Sequence, residues 1–383
     1  MQSRRSLSCF QSLLVLLLIC PWILGHSQTM TTEQAMQLTQ QGKFEEAKEA
    51  WGQLAARHPG DYIAQANLGL SLAHFGQYPE AAAAYRKALV VRPHQTEIEF
   101  NLGLAEFKQG HFAEAVAAFN ASAAGKVPDA RTETLLGISY YGETQYAKAI
   151  PHLTAASAND PSNLELHYVL AESCLRAREQ ECALAESQKI LALDPNSGQA
   201  HMLLGEAYDG TSKTSEAIAE FSAAATANPA LPDVHFGLGY LYWKKQDYEH
   251  AAPEFQLEIA QDPRSAQSYT YLGDIAYRSN DDAAAQTNLL KAVSLQPDAR
   301  LAYFDLGCVY ARQNDNASAL TAFLRAEKLD PSEPDAHYRL GRLYMAMGQK
   351  QKAEEEFQKT KSLHQKEEDS LIDKVSGPKA PTP

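Results

Sequence analysis

From residue 28 to residue 367, apolar residues recur three and four positions apart rather than two, with no long valine and isoleucine runs. That spacing places them on one face of a helix and predicts an all-α chain. The pattern also returns on itself every 34 residues. A shift of that length lays Asn67-Leu68-Gly69 over Asn101-Leu102-Gly103, and then over Leu136-Gly137, Leu204-Gly205, Leu238-Gly239, Leu272-Gly273, Leu306-Gly307 and Leu340-Gly341. Ten windows follow without a slip: 28–61, 62–95, 96–129, 130–163, 164–197, 198–231, 232–265, 266–299, 300–333 and 334–367. Position 20 is alanine in every window, from Ala47 to Ala353, and position 32 is proline in eight.

Each recurring residue has a physical use in a helix-turn-helix unit. Glycine at position 8 and alanine at position 20 lack bulk, so two helices can approach closely. Tyr85, Phe119, Phe221, Phe255, Phe323 and Phe357, at position 24, fill the space beside them. Proline at position 32 ends the second helix. Each hairpin buries its apolar side only by stacking on neighbours. The fifth window departs most, with Ala171 for glycine and Ser187 for the aromatic, and is expected to be the softest joint.

This period and pattern resemble the tetratricopeptide repeat family over about nine tenths of the chain. The resemblance implies a right-handed superhelical solenoid of ten 34-residue helix-turn-helix repeats, with positions 2, 5, 9, 12 and 13 of each first helix lining a concave groove. That register selects the aromatic residues Phe100, Phe107, Tyr141, Tyr168, Phe236, Tyr240, Trp243, Tyr277, Phe304 and Tyr338 as ligand-groove candidates. They either stack on an extended guest or cover neighbouring helices. Lys108, Arg176, Lys244, Arg278 and Arg312 recur at position 13. These groove cations either face an acidic partner or offset the negative end of their own helix. The family's carboxylate clamp is matched only in part, by Asn67, Asn101 and Lys108; Ala66 and Leu70 replace its other members.

Charge and the ends of the chain narrow the setting. The net charge is −13, from 34 basic and 47 acidic residues, which disfavours a nucleic-acid backbone as partner. Arg4 and Arg5 precede the apolar run Leu13 to Ile19, followed by Pro21, Gly25 and Ser27. Residues 1–27 therefore read as a signal peptide and the protein as exported, periplasmic or secreted; an anchor over residues 7–24 is the lesser alternative. Residues 368–383, ending in Pro378, Pro381 and Pro383, are expected to be a disordered tail.

The remaining reactive side chains give little chemistry. His167, His201, His235 and His337 all fall at position 4, too far apart to share one metal ion, so no metal or cofactor is expected. Cys174 and Cys182 lie near one turn and either form a disulfide in an oxidising compartment or stay as buried thiols. No nucleophile motif, phosphate-cradling loop or paired-carboxylate site stands apart from the repeat, so an enzyme is not expected. The expected function is a non-catalytic scaffold or adaptor that binds a peptide or subunit in its groove. The alternative is polysaccharide binding on the same aromatic residues.

Overall fold

A helical hairpin needs a turn that satisfies the last carbonyls of its first helix, and here one solution recurs. Position 15 of every described hairpin takes the left-handed conformation, with φ of 56–75°. Glycine supplies it at Gly42, Gly76, Gly110 and Gly348; Asn280 and Asn314 tolerate it through their short polar side chains. Thr144, Arg178, Ser212 and Gln246 adopt it as well. The next amide, at position 16, donates back to the carbonyl of position 11 at 2.8–3.0 Å, as in Gln77 to Leu72 and Asp315 to Tyr310. First helices start at a cap in position 34: Asp61, Asp129, Asn163, Ser197 and Ser265 each accept an amide hydrogen from the first turn.

The computed structural model describes residues 30–376. Twenty α-helices and no strands occur among them, consecutive helices pairing as antiparallel hairpins. The described residues divide into two compact units, the first ending at Ser122 and the second beginning at Ala123. The first holds α1 (Thr32–Gln40), α2 (Phe44–Arg57), α3 (Tyr62–His74), α4 (Tyr78–Val91), α5 (Thr96–Lys108) and α6 (Phe112–Ser122). The second begins with α7 (Ala130–Gly142), α8 (Tyr146–Asn159), α9 (Leu164–Arg176), α10 (Gln180–Leu193), α11 (Gly198–Gly210), α12 (Thr214–Ala227) and α13 (Val234–Lys244). It continues through α14 (Tyr248–Gln261), α15 (Ala266–Arg278), α16 (Asp282–Leu295), α17 (Arg300–Arg312), α18 (Asn316–Leu329), α19 (Pro334–Ala346) and α20 (Lys350–Ser376).

Within a hairpin the decisive contact is between positions 8 and 24. A Cβ added to Gly69, Gly103, Gly137, Gly205, Gly239, Gly273, Gly307 or Gly341 would come within 2.5–3.0 Å of the side chain at position 24. The missing methyl is therefore what lets Tyr85, Phe119, Phe255 and Phe323 sit fully buried between the helices. Hairpin five inverts the volumes. Ala171 adds a methyl where Ser187 removes a ring, and both are fully buried. The sequence marks this hairpin as the softest joint, yet the division between units falls elsewhere, after Ser122. There α6 stops at 11 residues instead of the usual 14, followed by Gly125 at φ 75°.

Two terminal expectations meet the structure differently. The tail expected to be disordered from 368 is helical as far as Ser376, because α20 carries on past the repeat without a proline at position 32. The proposed leader, 1–27, and residues 377–383 lie outside the described residues. No described helix is long and apolar enough to cross a membrane.

Gly307 should thus be intolerant of even one methyl. Gly307→Ala is expected to lower stability by about 1–3 kcal/mol through overpacking against Phe323, read as a fall in Tm. Adding Phe323→Leu, the residue type found opposite Gly137 and Gly273, should recover part of the loss. Equal Tm for wild type and Gly307→Ala would remove the close-approach argument.

Candidate functional site

In the second unit, successive first helices touch one another: α7 meets α9, α9 meets α11, α13 meets α15, α15 meets α17 and α17 meets α19. They line up in two stretches, α7–α9–α11 and α13–α15–α17–α19, and most groove candidates lie on them. Phe100, Phe107 and Lys108 belong to the first unit and are described within it.

The aromatic candidates are half-buried rather than free, apart from Tyr338, which is exposed. At position 5 the ring packs on the position 24 ring of its own hairpin: Phe100 on Phe119, Phe236 on Phe255, Phe304 on Phe323 and Tyr338 on Phe357, with centroids 5.6–6.1 Å apart. Phe107 meets Phe112, and Tyr141 meets Tyr146, edge to face at 5.8 and 5.7 Å. The Tyr168 hydroxyl hydrogen-bonds Ser197. These rings therefore seal hairpins and joints. The largest assembly is Phe236, Tyr240 and Trp243 around Tyr271, with Trp243 donating to Asp274 at 2.6 Å. Desolvation first, then Tyr240, Asp274 and Asp305, pushes the Tyr271 hydroxyl up to about 12.

The cations are not the open ladder that the sequence suggests. Lys244 binds Asp209 at 2.6 Å, Arg278 binds Asp274 at 2.7 Å, and Arg176 lies 3.6 Å from Glu172. Arg312 pairs with Asp282, donates to the Tyr277 carbonyl at 2.9 Å, and stacks over the Tyr277 ring at 3.9 Å. Four of the five thus answer acidic groups of the same chain. Glu172 and Asp274 lie four residues before their partners on the same helices, a spacing the sequence carries, whereas Asp209 and Asp282 come from other helices. Lys108 is exposed.

The position 4 histidines have a structural use. His167, His201, His235 and His337 each donate from Nδ1 to a glutamate 19 residues on, Glu186, Glu220, Glu254 and Glu356, at 2.7 Å. Hairpin four carries the same bond reversed, Glu133 with His152 at 2.6 Å. His167 and His337 also donate from Nε2 to the carbonyls of Pro161 and Pro331. Glu327, His337 and Glu356 converge closely enough to suggest a metal site. Lys359, however, reaches Glu356 at 2.8 Å and Glu327 at 3.5 Å, so an ammonium already answers those carboxylates.

Cys174 and Cys182 are joined as a disulfide, Cα atoms 5.8 Å apart, across the turn of hairpin five. Cys308 is a free, buried thiol that desolvation raises to about 12, which makes it a poor nucleophile. In the first unit, Asn67 and Asn101 line a cavity of about 350 Å³ with Ala66 and Leu70, but the Asn67 amide is bonded to the Ile63 carbonyl.

A cavity that takes in two of the groove candidates lies in the second unit, between α11 and α13. About 380 Å³ in volume, it is lined by Met202, Phe236, Tyr240 and Leu241 on its apolar side, with Glu206, Asp209 and Asp233 at its edge. Burial, with Glu172 and Asp233 nearby, raises the Glu206 carboxyl despite Arg176. Met202, Glu206 and Asp233 were absent from the sequence-based site, although they hold positions 5, 9 and 2 of the same register. A search for rings and cations alone passes over them.

One buried acid on the first helices stands without a donor. Asp305 has Oδ2 enclosed and unpartnered. Desolvation, then Asp274, raises its carboxyl well above the usual range, opposed by Arg278 and Arg300, with Asp335 adding to the rise. The neutral form is favoured on folding, so this group supports stability fully only below the unfolded carboxylate range, near pH 4, and less as pH rises through its folded value. Asp305→Asn should therefore stabilise the protein by about 1–3 kcal/mol at pH 8. The gain should shrink toward pH 5, and a Tm difference independent of pH would refute the assignment.

Comparison with known proteins follows the same repeat. Two tetratricopeptide repeat family models match, one over residues 32–96, 75–131, 183–232, 202–266, 236–300, 270–332 and 304–366, the other over 140–207. No curated protein matches the chain. Among solved structures, MamA 41-end from Desulfovibrio magneticus RS-1 is similar at 21% identity and TM-score 0.41, over 44% of this chain and 96% of that one. YrrB, described as a TPR protein with an unusual peptide-binding site, is similar at 20% identity and TM-score 0.39, over 49% and 97%. The Cut9–Hcn1 hetero-tetramer of APC/C is similar at 13% identity and TM-score 0.46, over 86% and 85%.

Proposed function

Because the chain belongs to the tetratricopeptide repeat family, we propose that it is a non-catalytic scaffold that holds an extended peptide of a partner protein on the first helices of its second unit. The observation that carries this reading is the cavity between α11 and α13. Its apolar floor of Met202, Phe236, Tyr240 and Leu241 is unfilled by the protein's own side chains, whereas most other rings on the first helices are engaged. Such a recess, with polar groups at its rim, is where a peptide side chain gains most from leaving water. Stacking on sugar rings is less favoured, since Phe236, Tyr240 and Trp243 spend their faces on one another and on Tyr271.

The same reading has the protein exported to the cell envelope or beyond. The Arg4-Arg5 leader with its apolar run supports this, and so does the Cys174–Cys182 bridge, a bond that persists in oxidising compartments. The exported protein is expected to lack residues 1–27 by intact mass and, unfolded without reductant, to show one reactive thiol, Cys308. Retention of the leader would favour an anchor over residues 7–24; three thiols would exclude the bridge.

The scaffold reading is tested by selecting random dodecapeptides displayed on phage against the immobilised full chain, then measuring synthetic copies by fluorescence anisotropy. Tyr240→Ala with Met202→Ala should weaken the selected peptides at least about tenfold with little change in Tm. Unchanged affinity would move the binding surface elsewhere, and failure to select any peptide would refute the reading.

A further inference from the structure

The cavity between α11 and α13 interrupts a series. Position 13 carries Arg176 in hairpin five, Lys244 in seven, Arg278 in eight and Arg312 in nine, but Gly210 in hairpin six. Gly210 lines the cavity and puts no side chain into it; a Cβ there would come within 2.5 Å of the Gln180 amide group, which would have to shift. The carboxylates that such a cation would answer are still present. Lys244 reaches across to Asp209 alone, leaving Glu206 and Asp233 at the rim.

Asp233 is free for this role because of an irregularity in the backbone. Hairpin seven enters through Leu231-Pro232-Asp233, so α13 starts at Val234 with 11 residues rather than the 13 of most first helices, and Asp233 stands at its N-cap with φ 62°. Its carboxylate makes no capping bond. The capping is done from the second helix of the hairpin, where Glu258 accepts the Phe236 amide hydrogen at 3.1 Å. A borrowed cap thus satisfies the helix terminus, and the residue that would ordinarily do so lines the cavity instead.

We propose that this cavity takes an arginine side chain of the bound peptide, the guanidinium replacing the cation missing at Gly210. Met202, Phe236 and Tyr240 give the methylene stem an apolar lining; Glu206 and Asp233 accept its forked donors. An acidic peptide is disfavoured on two counts: the nearby cations are already paired, and the rim carries unpaired carboxylates. This inference rests on the peptide-binding reading above and specifies its ligand.

The test uses the full chain and the dodecapeptides selected on it. Selected sequences should be enriched in arginine at one register, and a synthetic copy with that arginine replaced by citrulline, its neutral isostere, should bind at least about tenfold more weakly at physiological salt. On Glu206→Gln/Asp233→Asn, the arginine and citrulline peptides should bind within about twofold of each other. Asparagine tolerates the φ of Asp233, so this variant should keep its fold, checked by Tm. Equal binding of both peptides to the wild type overturns the inference, as does an arginine preference that survives in the double variant, which would trace to general acidity. Selected peptides that lack arginine yet weaken with Tyr240→Ala overturn it while leaving the scaffold reading intact. Failure to select any peptide removes both.

Discussion

The absence of one methyl group governs this architecture. Where position 8 is glycine, the two helices of a hairpin close until the side chain at position 24 lies against bare backbone, and that contact is the core of the hairpin. A solenoid has no central core to compensate for a poor local one, so each hairpin must supply its own and share its flanks with its neighbours. Hairpin five departs from this contact: Ala171 adds a methyl, Ser187 removes a ring, and both stay fully buried. The buried Ser187 hydroxyl has no partner.

Local regularity is also what makes irregularity informative. Eight of the ten first helices begin at position 1, and five of these carry a side-chain cap just before. Hairpin seven begins two residues late, takes its cap from Glu258, and leaves Asp233 beside an apolar recess. The recess is bounded on its other side by Gly210, where neighbouring hairpins place a cation. Two departures from the repeat thus meet at one place: one leaves out a side chain, and the other leaves the Asp233 carboxylate out of the cap. Elsewhere on the first helices, rings cover rings and cations answer carboxylates.

The fold was legible because its determinants are local in sequence. Position 8 and position 24 lie within one window, as do the turn at position 15 and the alanine at position 20, so a 34-residue shift exposes them all. The site was legible only in outline. The register names Phe236 and Tyr240, and both line the cavity between α11 and α13. Arg176 and Arg278 meet Glu172 and Asp274 four residues back on their own helices, which the sequence carries, whereas the pairing of Lys244 with Asp209 and of Arg312 with Asp282 depends on how helices pack. Asp233 was hidden for a different reason: its exposure to the cavity depends on Glu258, 25 residues further on, taking over the cap. The division after Ser122 was likewise hidden, since the shortening of α6 leaves the 34-residue count intact.

The reversed bond in hairpin four constrains how such a chain can be rearranged. Hairpin four places glutamate on its first helix and histidine on its second; hairpin five does the opposite. Whole hairpins can be exchanged between the two places with each bond carried along intact. A crossover at the turn would instead face Glu133 with Glu186 in one product and His167 with His152 in the other, two like groups at a site built for unlike ones. The unit of inheritance, and of engineering, is therefore the closed hairpin rather than the helix.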